Sequence, residues 1–154
     1  EAFRLLLSQL EAELEFADSA LAQLREDITH MPTRMESRYD SSRTEAGYLA
    51  DGMAMRNIRR QDELAAIGAA ASDVACESSV VGTGSIVEAM DQETRESSYF
   101  FIMPAGGGRR IRCATLDIMV VTAGAPLVQQ LLGRSEGASI LLKNGRRLRI
   151  VSCT

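Results

Sequence analysis

The sequence predicts an α+β protein: an N-terminal antiparallel helical hairpin (a coiled coil), then a small antiparallel β domain with one short helix. Three observations predict it. Leu7, Leu10, Leu14, Ala17, Leu21, Leu24, Ile28 and Met31 step alternately by three and four residues, the a/d pattern of a coiled coil. Pro32 interrupts that pattern, and a second helical stretch follows it. After about Ser78, glycines punctuate short β-like runs. The expected domains are 1–73 and 78–154.

Helix 1 is expected from about residue 2 to about residue 30, roughly 40 Å at ~1.5 Å per residue. Glu11, Glu13, Glu15 and Asp18 fill other heptad positions and stay in water. Helix 2 is expected to start near Thr44, with Thr44 as N-cap and Glu45 favoured by the helix dipole. Tyr48, Leu49, Met53, Ile58, Leu64 and Ile67 form its apolar stripe, weakened by the charged centre from Arg56 to Glu63. It should end near Ala71, with a linker beginning at Ser72-Asp73. Helices joined by a short polar loop pack antiparallel. A leucine heptad also suits a dimerising coiled coil, but the break at Pro32 and a second helix of similar length favour the intramolecular hairpin.

The β-like runs are Ser85–Met90, Ser98–Met103, Ile111–Val121, Ser139–Lys143 and Arg147–Cys153. Gly106–Gly108 and Asn144-Gly145 read as hairpin turns. Between the third and fourth runs, Pro126 begins a short helix near its N1 position and Gly133 stops it.

Composition narrows the functions. Aromatic residues make up only 5% and Trp is absent, which disfavours an aromatic-lined small-molecule pocket. The net charge of −4 conceals a split. Residues 1–74 carry 8 basic and 14 acidic side chains, and residues 78–154 carry 9 basic and 6 acidic. Two pieces with different partners fit that split. Sixteen of the seventeen basic residues are Arg, which suits phosphate or carboxylate recognition and equally suits a GC-rich genome. Cys76, Cys113 and Cys153 form no metal or disulfide spacing. No apolar run approaches a membrane span, and Glu1–Ser8 has no small-residue cleavage site after it. A cytoplasmic location follows as the expectation. The opening Glu1, in place of Met, implies a processed or trimmed N-terminus.

The stretch from Met35 to Tyr48 reads as the tip of the hairpin and carries Glu36, Asp40 and Glu45. These carboxylates either face a metal or are ordinary solvated loop acids. Arg34, Arg38 and Arg43 interleave with them, as phosphate contacts or as local charge compensation. Tyr39 and Tyr48 pack the tip or stack on a base. His30 sits at a helix C-terminus, where the dipole favours it. The methionines at 53, 55, 90, 103 and 119 read as core filling. Arg109, Arg110, Arg112, Arg146, Arg147 and Arg149 flank two predicted strands, either as a basic face for an anionic partner or as ordinary solvated strand positions. Gly106–Gly108 lacks the Lys-Ser/Thr of a phosphate loop.

This architecture resembles the GreA/GreB family of bacterial transcript-cleavage factors. The segment Val121-Thr-Ala-Gly-Ala-Pro-Leu-Val-Gln-Gln-Leu-Leu-Gly-Arg-Ser-Glu-Gly-Ala138 is similar to the family's V-S-P-x-S-P-L-(G/A)-x-A-L-(L/I)-G-x-x-x-G-D segment. The hairpin that follows, Ile140 through Val151, matches in length and pattern. The family's tip motif, Asp-Leu-x-Glu-Asn-Ala-Glu-Tyr, is not reproduced: Asp40 and Glu45 are five positions apart and the Asn is absent. The tip instead resembles that of a GreA/GreB-like subgroup reading roughly E-N-K-Y-D-T-x-x-x-E-A-S-Y-L-A.

The resemblance implies an FKBP-like C-terminal domain and bacterial RNA polymerase as partner. The coiled coil would enter the secondary channel, with indirect contact to nascent RNA. Asp40 and Glu45, with Glu36 third, would then act at the polymerase active centre and share its Mg2+, hard oxygen ligands for a hard cation. Arg38, Arg43, Tyr39 and Tyr48 would be accessory, and Pro126, Leu127, Leu131 and Gly133 would dock on the polymerase. The chain would be a monomer with no intrinsic cofactor and no catalytic centre of its own. Three rivals stand beside this reading: a cleavage-inactive channel modulator, a structural coiled-coil module and a prolyl isomerase. Tyr99, Phe100 and Phe101 are consecutive and cannot face one cavity together, which counts against the isomerase.

Overall fold

The computed structural model describes residues 1–31, 37–70 and 80–154, with the side chains of 37–41 left aside. Helix α1 spans Ala2–His30 and helix α2 spans Ser37–Ala70. The six strands are β1 (Ile86–Asp91), β2 (Ser97–Met103), β3 (Arg110–Cys113), β4 (Leu116–Thr122), β5 (Ser139–Leu141) and β6 (Arg147–Cys153). Helix α3, Pro126–Leu131, lies between β4 and β5. The chain divides into two compact units. One is the helical segment Ser8–Leu64, and the other is Glu1–Leu7 with Ala65–Thr154.

The heptad of α1 is realised. Leu10 and Leu21 are buried, and Leu7, Leu14, Ala17, Leu24 and Ile28 are half-buried. Helix α2 departs from expectation at both its start and its face. It begins at Ser37, so Thr44 lies inside the helix rather than at its cap. Tyr48, Leu49, Met55 and Ile58 are exposed at 73%, 52%, 56% and 50%. Met53, Leu64 and Ile67 are sheltered as expected, and the rest of the sheltered face includes Ala46, Gly47, Ala50, Ala54 and Asn57. Small residues let two helix axes approach closely. That gain outweighs the larger area offered by Tyr48 and Ile58, which point the other way. Pro32, Glu36, the Ser72-Asp73 linker and Cys76 lie outside the described residues.

The strands form one sheet in the order β3-β4-β2-β1-β6-β5. All pairs are antiparallel except β2 with β4, which is parallel. Two expectations are corrected here. The run Ile111–Val121 is a β3–β4 hairpin turning at Ala114, whose φ is +53. Gly106–Gly108 is not a hairpin turn, because the strands it joins, β2 and β3, do not pair. The Asn144-Gly145 turn does close a hairpin, with Gly145 N–H donating to Leu142 O at 2.9 Å.

Pairing partners share a face of a sheet. One face carries Val87, Ala89, Phe100, Ile102, Val121, Leu148, Ile150 and Ile140. Val128 and Leu131 of α3 close over it. Pro126 holds the N1 position of α3 and Gly133, at φ +74, follows its end, as the sequence predicts. The other face carries Phe101, Met103, Ile111, Ile118 and Val120, all buried. The helical ends Glu1–Leu7 and Ala65–Ala70 belong to the same unit as the sheet, and Leu6 and Ile67 in them are fully buried. Ile67 reaches the β2–β3 connection: a Cβ on Gly106 would lie 3.1 Å from Ile67 Cδ1. Gly106 also has a φ of +76, a conformation that glycine adopts without strain.

Asp91 is buried at the end of β1. It accepts from the backbone N–H of Glu93 at 2.8 Å and of Thr94 at 3.3 Å, and from Arg146 Nε at 2.6 Å. The Glu93 N–H, then Arg146, hold its carboxyl below the usual range. One carboxylate thus fastens the β1–β2 turn to the β5–β6 turn.

Two stability predictions follow from these contacts. Ile102→Ala, which hollows the main core, should cost about 2–5 kcal/mol in urea unfolding of the full chain. Asp91→Ala should lower the urea midpoint at pH 7. A depressed folded-state pKa contributes stability above the unfolded value and loses it as pH falls through the folded one. The wild-type advantage should therefore persist down to about pH 4 and shrink below it. A gap that stays constant as pH falls would contradict the ionic anchor.

Candidate functional site

The hairpin is the first place to look, because its two helices are joined by only the residues from Met31 to Glu36. That short link forces α2 to run back along α1. Asn57, 4% exposed, marks the register: its Nδ2 donates to Asp18 Oδ1 at 2.7 Å. Arg60 donates to Asn57 Oδ1 at 3.2 Å. Helices of equal rise that cross at Asp18 and Asn57 bring position 45 about level with His30, the last residue of α1. Glu45 therefore stands beside the end of α1, eight residues into α2.

Around that end, Glu45 is exposed, Arg43 is half-buried and Tyr48 is exposed. Ser42 and Thr44 each have an interaction partner. Arg38, Tyr39 and Asp40 fall in the opening turns of α2, with side chains among those left aside. Glu36 lies outside the described residues. Because the helix is continuous from Ser37, positions 40 and 45 are five helical residues apart. They are about 140° apart around the axis and about 7.5 Å along it. An extended loop could bring two such positions together, whereas a regular helix sets them on different sides of its axis. Among the described residues no group of three or more His, Cys, Asp or Glu side chains is placed to hold a metal.

The Asp18–Asn57–Arg60 chain is not among the sequence-predicted sites. Its signal was present: Ala46, Ala50, Ala54 and Asn57 recur at helical spacing, and Asn57 is the one polar residue in that row. Beside it lies a cleft of about 500 Å³ lined by Glu13, Phe16, Ala17, Met53, Arg56 and Arg60. Phe16, at 78% exposed, stands at its rim.

On the β unit the predicted docking residues separate. Pro126 and Gly133 are exposed, Leu127 is half-buried and Leu131 is fully buried. Leu131 thus fixes α3 to the sheet and offers no side-chain surface. The six arginines expected as one basic face also divide. Arg112 pairs with Asp117, Nε to Oδ1 at 2.9 Å and Nη2 to Oδ2 at 3.2 Å. Arg112 thereby holds the Asp117 carboxyl below its ordinary range. Arg146 is taken by Asp91, and Arg109 has a partner. Arg110 and Arg112 share the α3 side of the sheet with Met119 and Asp117. Arg147 and Arg149 face the other side, because Leu148 and Ile150 between and beyond them enter the core.

Glu88 gathers hydroxyls on that same second side. Ser97 Oγ donates to it at 2.8 Å and Ser152 Oγ at 3.4 Å. Tyr99 lies across from it, and desolvation, then the Glu88 charge and hydrogen bond, push the phenol above its usual range. This group contains no imidazole or thiol to activate a nucleophile. A shallow cleft of about 180 Å³ near the strand starts is lined by Ser98, Phe100, Arg110, Asp117 and Met119. It too has hydroxyls and one carboxylate already held by arginine, with no base beside a nucleophile.

The fold and this site define a two-helix hairpin joined to a mixed six-stranded sheet with one covering helix. No family model matches the chain, and no curated protein matches it. Among solved structures it is similar to GreA factor homolog 1 (Gfh1) of Thermus thermophilus. The TM-score there is 0.39 and the identity 16%, covering 96% of this chain and 94% of that one. It is similar also to the prokaryotic transcription elongation factor GreA/GreB from Nitrosomonas europaea. That match has a TM-score of 0.37 and 21% identity, covering 52% of this chain and 64% of that one. For Thermus aquaticus Gfh1 the values are 0.36 and 17%, covering 95% and 92%. At these TM-scores the likenesses carry no inference about activity or partner.

The exposed residues at the loop end can be changed without harm to the fold. Glu45→Gln and Tyr48→Ser should each shift unfolding free energy by no more than about 0.5 kcal/mol. Thermal and urea melts of the two variants check this, and a larger loss would mean that Tyr48 packs within the hairpin.

Proposed function

We propose that the chain is a bacterial RNA polymerase-binding elongation factor whose helical hairpin enters the secondary channel. The observation that carries this reading is Glu45, an exposed carboxylate beside the end of α1, in the part of α2 that leads to the loop of an antiparallel hairpin. The sequence resemblance over Val121–Ala138 supports it. There the strand end, the Pro126-started helix and the glycine stop fall where the family pattern sets them. In this proposal the chain brings no metal and no catalytic centre of its own. Glu45 and Asp40, with Glu36, approach the Mg2+ held by the polymerase and add oxygen ligands or orient the attacking water. Arg38, Arg43, Tyr39 and Tyr48 border them.

The helical spacing favours a second reading. Positions 40 and 45 lie on different sides of one helix, so a paired carboxylate clamp is disfavoured. A factor that occupies the channel and modulates the polymerase without stimulating cleavage needs no such clamp.

Backtracked elongation complexes separate the two. Under the first reading, adding the full chain shortens the RNA 3′ end in a Mg2+-dependent way. Glu45→Ala or Asp40→Ala should then slow shortening by about a hundredfold or more, the scale of losing one group that stabilises transition-state charge. Under the second, the chain binds and alters elongation with no shortening. Absence of polymerase binding would overturn both.

A further inference from the structure

Beside the Glu88 group, the second face of the sheet carries a stretch of exposed arginine rather than core residues. Strand pairing sets Met90, Arg149 and Ser139 in one row across β1, β6 and β5. Arg147 and Leu141 form the next row. Alternate residues of a strand lie about 6.6 Å apart on one face, so the two guanidinium stems rise side by side. Arg147 and Arg149 are exposed, Leu141 is 57% exposed and Met90 is half-buried.

Arg112 and Arg146 are spent on Asp117 and Asp91 within the fold. Among the described residues no carboxylate lies within ion-pair distance of Arg147 or Arg149. Their backbone is fixed from behind, since Leu148, Ile150 and Ile140 are buried in the core. Gln92 Nε2 donates to Ser139 Oγ at 2.9 Å and ties the rim of the patch. Two unpaired cations on a rigid strand, each beside an apolar side chain, make a surface organised before any partner arrives.

We infer that this face binds an acidic, amphipathic segment of a partner protein. Its carboxylates pair with Arg147 and Arg149, where the planar guanidinium accepts a bidentate carboxylate. An apolar side chain of the segment covers Leu141 and Met90. A nucleic-acid backbone fits less well: it calls for repeated cations and polar donors, and it would leave Leu141 uncovered. The inference rests on the proposed reading that the partner is a protein assembly. It deepens that reading by placing docking on the β5–β6 face rather than on α3, whose Val128 and Leu131 are buried.

The test measures binding of the full chain to bacterial RNA polymerase core enzyme by surface-immobilised kinetics. The double variant Arg147→Glu with Arg149→Glu should weaken Kd by about tenfold or more, in line with loss of close charge pairs. Leu141→Ser should weaken it by less, and Arg110→Glu, on the other face, should leave it unchanged. Far-UV circular dichroism confirms that each variant is folded. If the wild type binds and the double variant binds equally well, this inference is overturned and the proposed function stands. If the wild type does not bind, both are overturned. A fluorescein-labelled single-stranded DNA decides the source of the anion. Loss of DNA affinity in the double variant, with polymerase affinity intact, would assign the face to nucleic acid and overturn the protein partner.

Discussion

Strand β2 is buried on both of its faces, and the rest of the β unit follows from that. Phe100 and Ile102 look one way, Phe101 and Met103 the other, and all four are shielded from water. A strand in that position needs a cover on each side. Helix α3 supplies one with Val128 and Leu131; on the other side Ile67, near the end of α2, is fully buried against the β2–β3 connection, and Leu6 of the same unit is fully buried too. Burying a large aliphatic or aromatic side chain is favourable by about 1.5–3 kcal/mol. The helix ends are therefore held to the sheet by the strongest non-directional force available. That is why Glu1–Leu7 and Ala65–Ala70 belong to the sheet's unit rather than to the remainder of their own helices.

The two helices are built on different principles. Helix α1 presents a leucine face, whereas α2 answers with alanine, glycine and a single buried asparagine. Asn57 meets Asp18 and Arg60 and so leaves no buried side-chain polar atom without a partner among the described residues. A polar pair at an otherwise apolar seam costs stability and favours one alignment over its neighbours. For a hairpin, one alignment fixes which residue of α2 lies opposite the end of α1, and so fixes what Glu45 stands beside.

Much of this was legible in the sequence where one periodicity dominated. The bounds of α1, the Pro126 start and Gly133 stop of α3, and the span of β6 came directly from heptad spacing, a fixed φ and a glycine stop. The sheltered face of α2 did not, because the eye follows Tyr48, Leu49 and Ile58 while close helix approach selects Ala50 and Ala54. The division of Ile111–Val121 into β3 and β4 was hidden by a run with no Gly or Pro. Its turn relies on Ala114 in a left-handed conformation, which composition does not announce. The parallel pairing of β2 with β4 is a long-range choice that no local signal encodes. At the candidate site, acidic residues were found by type, but their separation depends on whether the backbone is helix or loop. The arginines were found as a cluster, yet strand alternation, not proximity in sequence, decides which of them share a side.

The outer strands of the sheet carry one more consequence. β3 has four residues and β5 three. β3 bears Arg110 and Arg112, and a bulge between Glu88 and Ala89 interrupts the β1–β6 ladder one strand in from β5. Long, flat, uncharged borders invite strand addition from other molecules and seed aggregates. Here each border is too short or too charged to template another chain. The backbone groups left unpaired along those borders run for only three or four residues each, a stretch too short to give another sheet a stable ladder.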